Sequence, residues 1–252
     1  MRKVLLWTGA ILGFLIIAAL VAGLIINESL PEGKEGPEAD ALARKMLDAI
    51  NKDAWDTTGV VQWTFADIHH FLWDRNRHFV EVKWNKKDVL LNTKTLKGRA
   101  WDNEVLLEGG AKAAAIQKAW ALFCNDGFWL NAPAKAFDPG TKRSLVTLDD
   151  GTSALLVSYT SGGVTPGDSY LWILDEQGLP QKWKMWVRII PVGGVEATWE
   201  NWITLPTGAK LASRHKTGPV TLEISNIKGA AYLEDLVKDD PFSSLEKLPA
   251  SE

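Results

Sequence analysis

The histidines are the side chains of this sequence most suited to binding a metal ion. His69 and His70 are adjacent, and Asp67 and Asp74 lie close by in the chain. If the histidine pair lies on a strand, its two imidazoles point to opposite faces of the sheet and cannot easily bind one ion. We therefore expect no metal site, and nothing else in the sequence calls for a cofactor.

Carboxylates are the other side chains that could act in catalysis as a pair. Glycoside hydrolysis uses two carboxyl groups about 5 Å or about 6.5–9.5 Å apart, and Glu196 with Glu200, or Asp168 with Glu200, could form such a pair. Outward-facing strand carboxylates are the simpler interpretation. The sequence has no Gly-x-Ser-x-Gly motif for a nucleophilic serine, and its single cysteine, Cys124, fits a buried thiol beside Phe123. We expect a protein that is not an enzyme.

Tryptophan is the residue type that sets this chain apart, with 13 copies in 252 residues. Five of them lie in residues 169–202, where apolar and polar residues alternate as they do in strands. Turn residues at 175–180 and Gly193-Gly194 divide this stretch, which predicts an antiparallel meander. Within residues 182–189, one face of the strand would carry Trp183, Met185, Val187 and Ile189, and the other Lys182, Lys184, Trp186 and Arg188.

These rings have two interpretations, a packed core or the wall of an apolar cavity. Rings on both faces of one strand exceed what a simple core needs, and pockets for apolar ligands are lined by such side chains. Arg75 and Arg77, in a predicted turn, are candidates for binding a lipid headgroup at the cavity mouth. The candidates for the cavity wall are Trp63, Phe65, Trp84, Ile116, Trp120, Phe123, Trp129, Trp172, Trp183, Trp186, Trp199 and Trp202.

The N-terminus predicts a membrane anchor. Residues 4–26 contain no charged side chain, and about 20 apolar residues cross a bilayer as a helix. Arg2 and Lys3 precede this run and acidic residues follow it, which predicts that residues 1–3 are cytoplasmic and the rest is extracytoplasmic. The protein is then a single-pass protein of the cytoplasmic membrane. A cleaved signal peptide is the alternative, although its apolar region would be shorter.

The remaining elements predict an α+β fold, a large curved antiparallel sheet covered by helices. Residues 27–36 read as a linker, and residues 37–52 as an amphipathic helix. Residues 104–142 read as a helical lid whose helix stops at residues 125–127. Residues 230–252 form an acidic C-terminal tail. Strands are predicted at residues 60–65, 77–84, 89–96, 145–148, 154–160, 170–174, 182–190, 195–205, 209–216 and 220–227.

The element order resembles that of the LolA-like superfamily of periplasmic lipoprotein carriers. The resemblance is carried by segments such as HFLWDRNRHFVEVKW (70–84), LPQKWKMW (179–186) and WENW (199–202), and covers roughly residues 38–229. It implies an incomplete β-barrel covered by helices, with an acyl chain in the cavity between them, over residues 37–229. Unlike the well-known carriers, which are soluble after signal cleavage, this chain is predicted to stay anchored.

The predicted function is the non-enzymatic binding of a lipid or an acylated protein at the outer face of the cytoplasmic membrane. Two alternatives stay open. Exposed tryptophans on a β-sandwich could stack on sugars, as in a carbohydrate-binding or glycosidase-like domain, or the domain could be a structural partner in an envelope complex. The formal net charge of -3 does not indicate the basic surface that binding to nucleic acid requires.

Overall fold

The computed structural model describes residues 27–161 and 166–246, which form mainly antiparallel sheet with a few helices. The predicted anchor at residues 4–26 and the cytoplasmic residues 1–3 lie outside the described residues, as does the end of the predicted tail. In the described ranges, no helix combines the length and the apolar character needed to cross a bilayer.

The larger sheet has nine strands, all antiparallel to their neighbours. Its spatial order is β13-β14-β15-β2-β3-β4-β5-β6-β7. Within β13 to β15 and within β2 to β7, strands that follow each other in sequence are also neighbours in the sheet. The strands are β2 (Val60–Phe65), β3 (His69–Asp74), β4 (Phe79–Trp84), β5 (Lys87–Asn92), β6 (Gly98–Asp102), β7 (Val105–Leu106), β13 (Glu200–Thr204), β14 (Lys210–Thr217) and β15 (Val220–Ala230).

The smaller sheet has six strands in the order β1-β8-β9-β10-β11-β12. It contains the predicted meander, in which Trp172 pairs with Trp183 across β10 and β11. Trp183 and Met185 are buried on one face, as the alternation predicted, but the strand ends at Trp186 and Ile189 is exposed. The strands are β1 (Lys34–Glu35), β8 (Thr141–Thr147), β9 (Ser153–Tyr159), β10 (Ser169–Leu174), β11 (Pro180–Trp186) and β12 (Val195–Thr198).

The two sheets meet along residues 195–204. The first part of this run, β12, pairs with β11 in the smaller sheet, and the second part, β13, pairs with β14 in the larger one. The run is interrupted at Trp199, whose backbone N–H donates to the Gln181 carbonyl at 2.7 Å. The antiparallel sheet predicted from the sequence is therefore confirmed, but it is divided in two, and within the described residues neither part closes into a barrel.

The helices cover one side of the sheets. The first helix, α1 (Pro37–Ala49), begins with proline at its first position and buries a stripe of Ala39, Ala43 and Met46. A short helix α2 (Lys52–Thr57) follows, and α3 (Gly109–Asn131) with the 3-10 turn Ala132–Lys135 forms the predicted lid.

The predicted end of the lid helix at residues 125–127 is wrong, because α3 continues to Asn131. Asp126 is buried and its carboxylate lies 2.7 Å from the His69 ring nitrogen Nδ1 on β3. Gly127 is also buried, and a Cβ there would lie 3.7 Å from the Trp63 ring. Tertiary contacts of these residues with the sheet thus outweigh their local tendency to end a helix.

The segments before and after the sheets are held against them. The predicted linker contributes β1, and Gly33 lies so close to Ser144 that an added Cβ would approach the serine Cβ to 2.6 Å. At the other end, the 3-10 turns Leu233–Asp235 and Pro241–Ser244 pack on the outer face of the larger sheet, where Phe242 is fully buried.

Candidate functional site

The interior of the smaller sheet is filled by a continuous group of aromatic rings around Trp183. Trp183 is 1% exposed, and its ring centroid lies 4.7–5.9 Å from those of five other rings. Two of these rings come from α3 and the others from β10 and the junction of the sheets. We call this group the meander cluster; its members are Phe128, Trp129, Tyr170, Trp172, Trp183 and Trp199.

A second group of rings lies between α3 and the larger sheet. Trp63 on β2 stacks on Phe71 of β3 at 4.6 Å, and Phe123 of α3 lies 5.1 Å from Trp73 and 5.9 Å from Trp120. Next to them, α3 presents small side chains to the sheet, which lets the helix approach it closely. We call this group the lid cluster; its members are Trp63, Phe71, Trp73, Trp120 and Phe123.

The two hydrophobic cores are joined by Trp129 and Trp202, which pack against both. Near Trp202 lies a cavity of about 10 Å³, which corresponds to roughly one water molecule. The space at this junction is therefore filled by side chains rather than open. The residues that line this cavity are Ile50, Trp55, Leu130, Asn131, Pro133, Ala134, Trp202, Lys210 and Leu211.

Six indole N–H groups in this interior have no hydrogen-bond acceptor among the described residues. Leaving one buried donor unpaired costs about 1–3 kcal/mol, and buried indole N–H groups usually find a partner. The aromatic interior therefore has unused capacity to donate hydrogen bonds. The six donors are the Nε1 atoms of Trp63, Trp73, Trp172, Trp183, Trp199 and Trp202.

His215 on β14 adds a buried acceptor to the same interior. Its Nδ1 lies 2.9 Å from the Thr198 carbonyl, so that this nitrogen carries the donated proton. Burial is the largest effect on its pKa and lowers it to about 4, which leaves the ring neutral at pH 7. Nε2 then has a lone pair without a partner in hydrogen-bond geometry among the described residues, between the rings of Trp129 and Trp199 at 5.2 and 4.5 Å.

One polar contact ties α3 to the larger sheet across the lid cluster. The carboxylate of Asp126 is 2.7 Å from Nδ1 of His69 and also accepts a hydrogen bond from Asn125 at 2.9 Å. Burial raises the pKa of Asp126, an effect that its hydrogen bonds and the nearby Lys118 oppose. Opening the space under α3 would break this contact.

Most of the predicted cavity residues come together in this interior. Phe65, Trp84 and Ile116 pack beside the lid cluster. Trp186 does not join them, because period-two alternation places it on the opposite face from Trp183. There its Nε1 donates to the Glu28 carbonyl at 2.8 Å. The assignment of Trp186 to the cavity wall is therefore corrected.

The two predicted headgroup arginines make contacts within the protein. Arg75 donates to the carbonyls of Trp55 and Thr58 and lies over the Trp55 ring at 4.4 Å. Burial lowers its pKa, against the opposing effect of Asp56. Arg77 pairs with Asp74 at 2.7 Å and reaches the C-terminal segment. Neither arginine lines the cavity beside Trp202.

The candidates for metal binding and catalysis are dispersed. His70 is 3.0 Å from Thr64, on the opposite face of β3 from His69, and in the described ranges no three metal-ligating side chains gather at one point. Glu196 pairs with Lys182 and Glu200 with Lys216, as solvated strand carboxylates do. Burial raises the pKa of the Cys124 thiol to about 12, so it is protonated at neutral pH.

Several residues of the interior were not identified as candidates by the sequence analysis. Phe128 lies beyond the predicted end of the lid helix, but so does Trp129, which was among the candidates, so the helix boundary alone does not explain why Phe128 was missed. Tyr170 could have been found, because it shares the inner face of β10 with Trp172 by period-two alternation. No local pattern marks His215 as buried, since its environment is built by residues distant in sequence.

Comparison with known proteins gives little further information. No family model matches the chain, and no curated protein matches it. Among solved structures, it is similar to the crystal structure of a DUF1329 family protein from Desulfovibrio piger, at 11% identity and a TM-score of 0.39. The match covers 78% of this chain and 95% of that one. Likeness at this level assigns neither a family nor a function.

Proposed function

We propose that the protein binds, without catalysis, the acyl chain of a lipid or of an acylated protein between its sheets and α3. In this proposal residues 4–26 anchor it in the cytoplasmic membrane, with the domain on the extracytoplasmic side. The two sheets and their helical cover then represent a divergent, LolA-like incomplete barrel.

The observation that carries the proposal is the chemistry of the interior. An aromatic interior with six indole N–H groups that have no acceptor among the described residues suits a ligand that is mostly hydrocarbon and carries acceptor oxygens. An ester or amide carbonyl at the head of an acyl chain is such an acceptor. Each methylene buried contributes about 0.8 kcal/mol, so a long chain would offset the displacement of several rings.

Because the interior is packed, binding requires α3 to move. The helix contacts the larger sheet through Ala115 and Ala119, which present little surface, and through half-buried Trp120 and Phe123. Its single described polar contact to β3 is the pair of Asp126 and His69. Displacing these rings would open a space between α3 and the larger sheet.

The sugar-binding alternative is less well supported by the structure. A sugar groove needs exposed rings, but in the two described ranges every tryptophan is buried or half-buried. Glu196 and Glu200 are each engaged with a lysine. If sugar binding were nevertheless the function, polysaccharide in a native gel would retard the protein and substitution of a half-buried tryptophan would abolish the retardation.

The proposal is tested with the purified, delipidated full-length chain and a fluorescent fatty acid. We expect saturable uptake and a change in tryptophan emission, because the ligand enters between the rings. Trp129→Leu, at the junction of both cores, should weaken uptake about tenfold, the loss that follows from about 1.4 kcal/mol of binding free energy.

Trp101→Leu is the matched control, since Trp101 packs on the outer face of the larger sheet. It should bind the fatty acid as the unmodified chain does. Absence of both uptake and emission change in the unmodified, folded protein would refute the proposal. Co-purification of another membrane protein in that case would favour the structural-partner alternative.

A further inference from the structure

The loop between β11 and β12 presents apolar side chains to solvent. Residues 187–194, which we call the tether loop, read Val-Arg-Ile-Ile-Pro-Val-Gly-Gly. Ile189 is 69% exposed, and Arg188 and Pro191 are exposed as well. An exposed branched side chain between an exposed arginine and an exposed proline suits the boundary between water and lipid.

The tether loop is bonded to the first described residues of the chain. Gly193 donates its N–H to the Asn27 side-chain oxygen at 2.7 Å and accepts from the Glu28 N–H at 3.0 Å. The Glu28 carboxylate pairs with Lys184 at 2.7 Å, and the Glu28 carbonyl accepts from Trp186. These contacts fix the loop beside Asn27.

Glycine is required at this junction. A Cβ on Gly193 would lie 2.4 Å from the Trp186 ring and 2.6 Å from the Glu28 carbonyl oxygen. Gly194 has a φ of +79°, and a Cβ there would lie 2.6 Å from the Glu28 Cβ. Gly193-Gly194 therefore does more than turn the chain, because it lets residues 27–28 dock on the loop.

The position of Asn27 sets the depth of the loop. The uncharged run of residues 4–26 ends immediately before Asn27. The polar headgroup layer is about 5–7 Å thick on each side of the hydrocarbon. Ile189 is four residues from Gly193, a reach of at most about 14 Å. The tip of the loop can therefore lie within the headgroup layer.

We infer that the tether loop is a second membrane contact, with Ile189 and Pro191 inserted among the lipid headgroups and Arg188 beside their phosphates. The occupant of this surface is the bilayer that holds the N-terminal segment. The inference rests on the proposed anchor but not on acyl-chain binding. Its effect is to fix the domain in one orientation on the membrane, where an anchor alone would leave it free to tumble.

The test places an environment-sensitive fluorophore at the two ends of β11 in the full-length chain, reconstituted in vesicles of phosphatidylcholine and phosphatidylglycerol. The single native cysteine is first removed by Cys124→Ala. In that variant, Ile189→Cys carries the fluorophore on the loop, and Gln177→Cys carries it at the control position. Gln177 is exposed in the turn before β11, about 20 Å of strand away from the loop.

We expect the label at position 189, and not the label at position 177, to show blue-shifted emission and several-fold stronger quenching by lipids spin-labelled at the headgroup. Equal emission and quenching at the two positions, in protein that resists alkaline extraction from the vesicles, would overturn the inference alone. Release of the protein by alkaline extraction would overturn the anchor and the inference together, and would leave fatty-acid uptake as a separate question.

Discussion

The buried polar groups of the aromatic interior are the residues at which protonation and stability are coupled. His215 is 1% exposed and neutral, with one nitrogen bonded to the Thr198 carbonyl and the other unpartnered in the described structure. Charging this ring would place a cation among aromatic rings, where burial disfavours the charged form more than Glu200 and the Thr198 and Trp129 backbone favour it. The folded state therefore resists protonation of His215, whereas the unfolded chain does not.

His215 predicts a loss of stability in mild acid. Its pKa falls from an ordinary value near 6.5 to about 4 on folding. The stabilising contribution is complete above pH 6.5 and is lost as the pH falls towards 4, because the unfolded chain binds the proton first. The loss amounts to about 3 kcal/mol, at about 1.4 kcal/mol for each unit of pKa.

Urea unfolding of the unmodified chain, His215→Leu and His70→Gln between pH 7 and pH 4 measures this effect. His70 is exposed and is the matched control. His215→Leu should lose the slope between pH 6.5 and pH 4, and His70→Gln should keep it. Parallel slopes for the unmodified chain and His215→Leu would contradict the explanation.

Among the elements, the C-terminal segment is attached by its buried apolar residues and by the ion pairs of one side chain, Arg77. Arg77 lies between the buried Asp74 and the segment, where it pairs with Asp240 at 2.8 Å and Glu246 at 2.9 Å. The hydrogen bond to Asp240 is the largest of the effects that raise the pKa of Arg77. The guanidinium also lies 5.6 Å from the Phe242 ring. Residues 231–246 are thus a docked part of the domain.

Arg77→Ala should loosen this segment and destabilise the domain by about 2 kcal/mol, because it leaves the Asp74 carboxylate buried without its partner. The expected result is faster proteolysis within residues 231–246 and a lower urea midpoint. Arg214→Ala is the control, since Arg214 forms an exposed pair with Glu223, and exposed pairs contribute about 0–1 kcal/mol. Similar proteolysis of the two variants would show that the buried apolar residues of the segment hold it without Arg77.

Many of the strands could be predicted from the sequence, because alternation and turn residues act locally, but the strand at His69–Asp74 was not among those predicted. The strands at Val60–Phe65 and Ser169–Leu174 agree with prediction to within one residue. The lid helix was predicted to end at residues 125–127, four to six residues before its end at Asn131, because the burial of Asp126 depends on His69, a residue distant in sequence. The tail had no local signal for docking, since its attachment is made by Arg77.

The candidate site was partly predictable from the sequence, again because strand alternation acts locally. Trp183 and Trp199 share one interior because strand alternation and pairing place them there. Trp186 was assigned to that interior although the alternation already placed it on the other face. The absence of an open space beside Trp202 could not be inferred, because packing density depends on how all the rings fit together.

At the scale of the whole molecule, the two sheets act as one structure because they share an aromatic interior. Trp129 and Trp202 pack against both hydrophobic cores. β14 also bonds to the junction run through its backbone, where the Lys216 N–H donates to the Thr198 hydroxyl at 2.9 Å. We therefore expect the described domain to unfold in one transition.

Trp202→Ala should cost about 3–5 kcal/mol and separate the unfolding of the two sheets. Tryptophan fluorescence and far-ultraviolet circular dichroism, followed in urea, should coincide for the unmodified chain and diverge for this variant. Trp186→Ala is the control, because Trp186 lies on the outer face of the smaller sheet, and its two signals should coincide. Coincident transitions for Trp202→Ala would show that Trp129 and the bond from β14 to Thr198 couple the cores without Trp202.

The inferred membrane contact would also orient the aromatic interior. Ser169 pairs with Trp186, so the ends of β9 and β10 that carry Tyr159 and Tyr170 lie beside the tether loop. Both tyrosines contact Phe128, at the end of the meander cluster. In that orientation, an acyl chain leaving the bilayer would meet these three rings first.

The strand order has a consequence for how copies of this protein behave when crowded. Of the four border strands of the two sheets, β12 and β13 follow each other in the chain, and the other two, Lys34–Glu35 and Val105–Leu106, have two residues each. Such short borders leave few backbone N–H and C=O groups on which a neighbouring chain could add a strand, and one border is fully charged. The two short border strands, Lys34–Glu35 and Val105–Leu106, therefore offer little backbone for edge-to-edge aggregation. That hazard rises when molecules are concentrated on a surface.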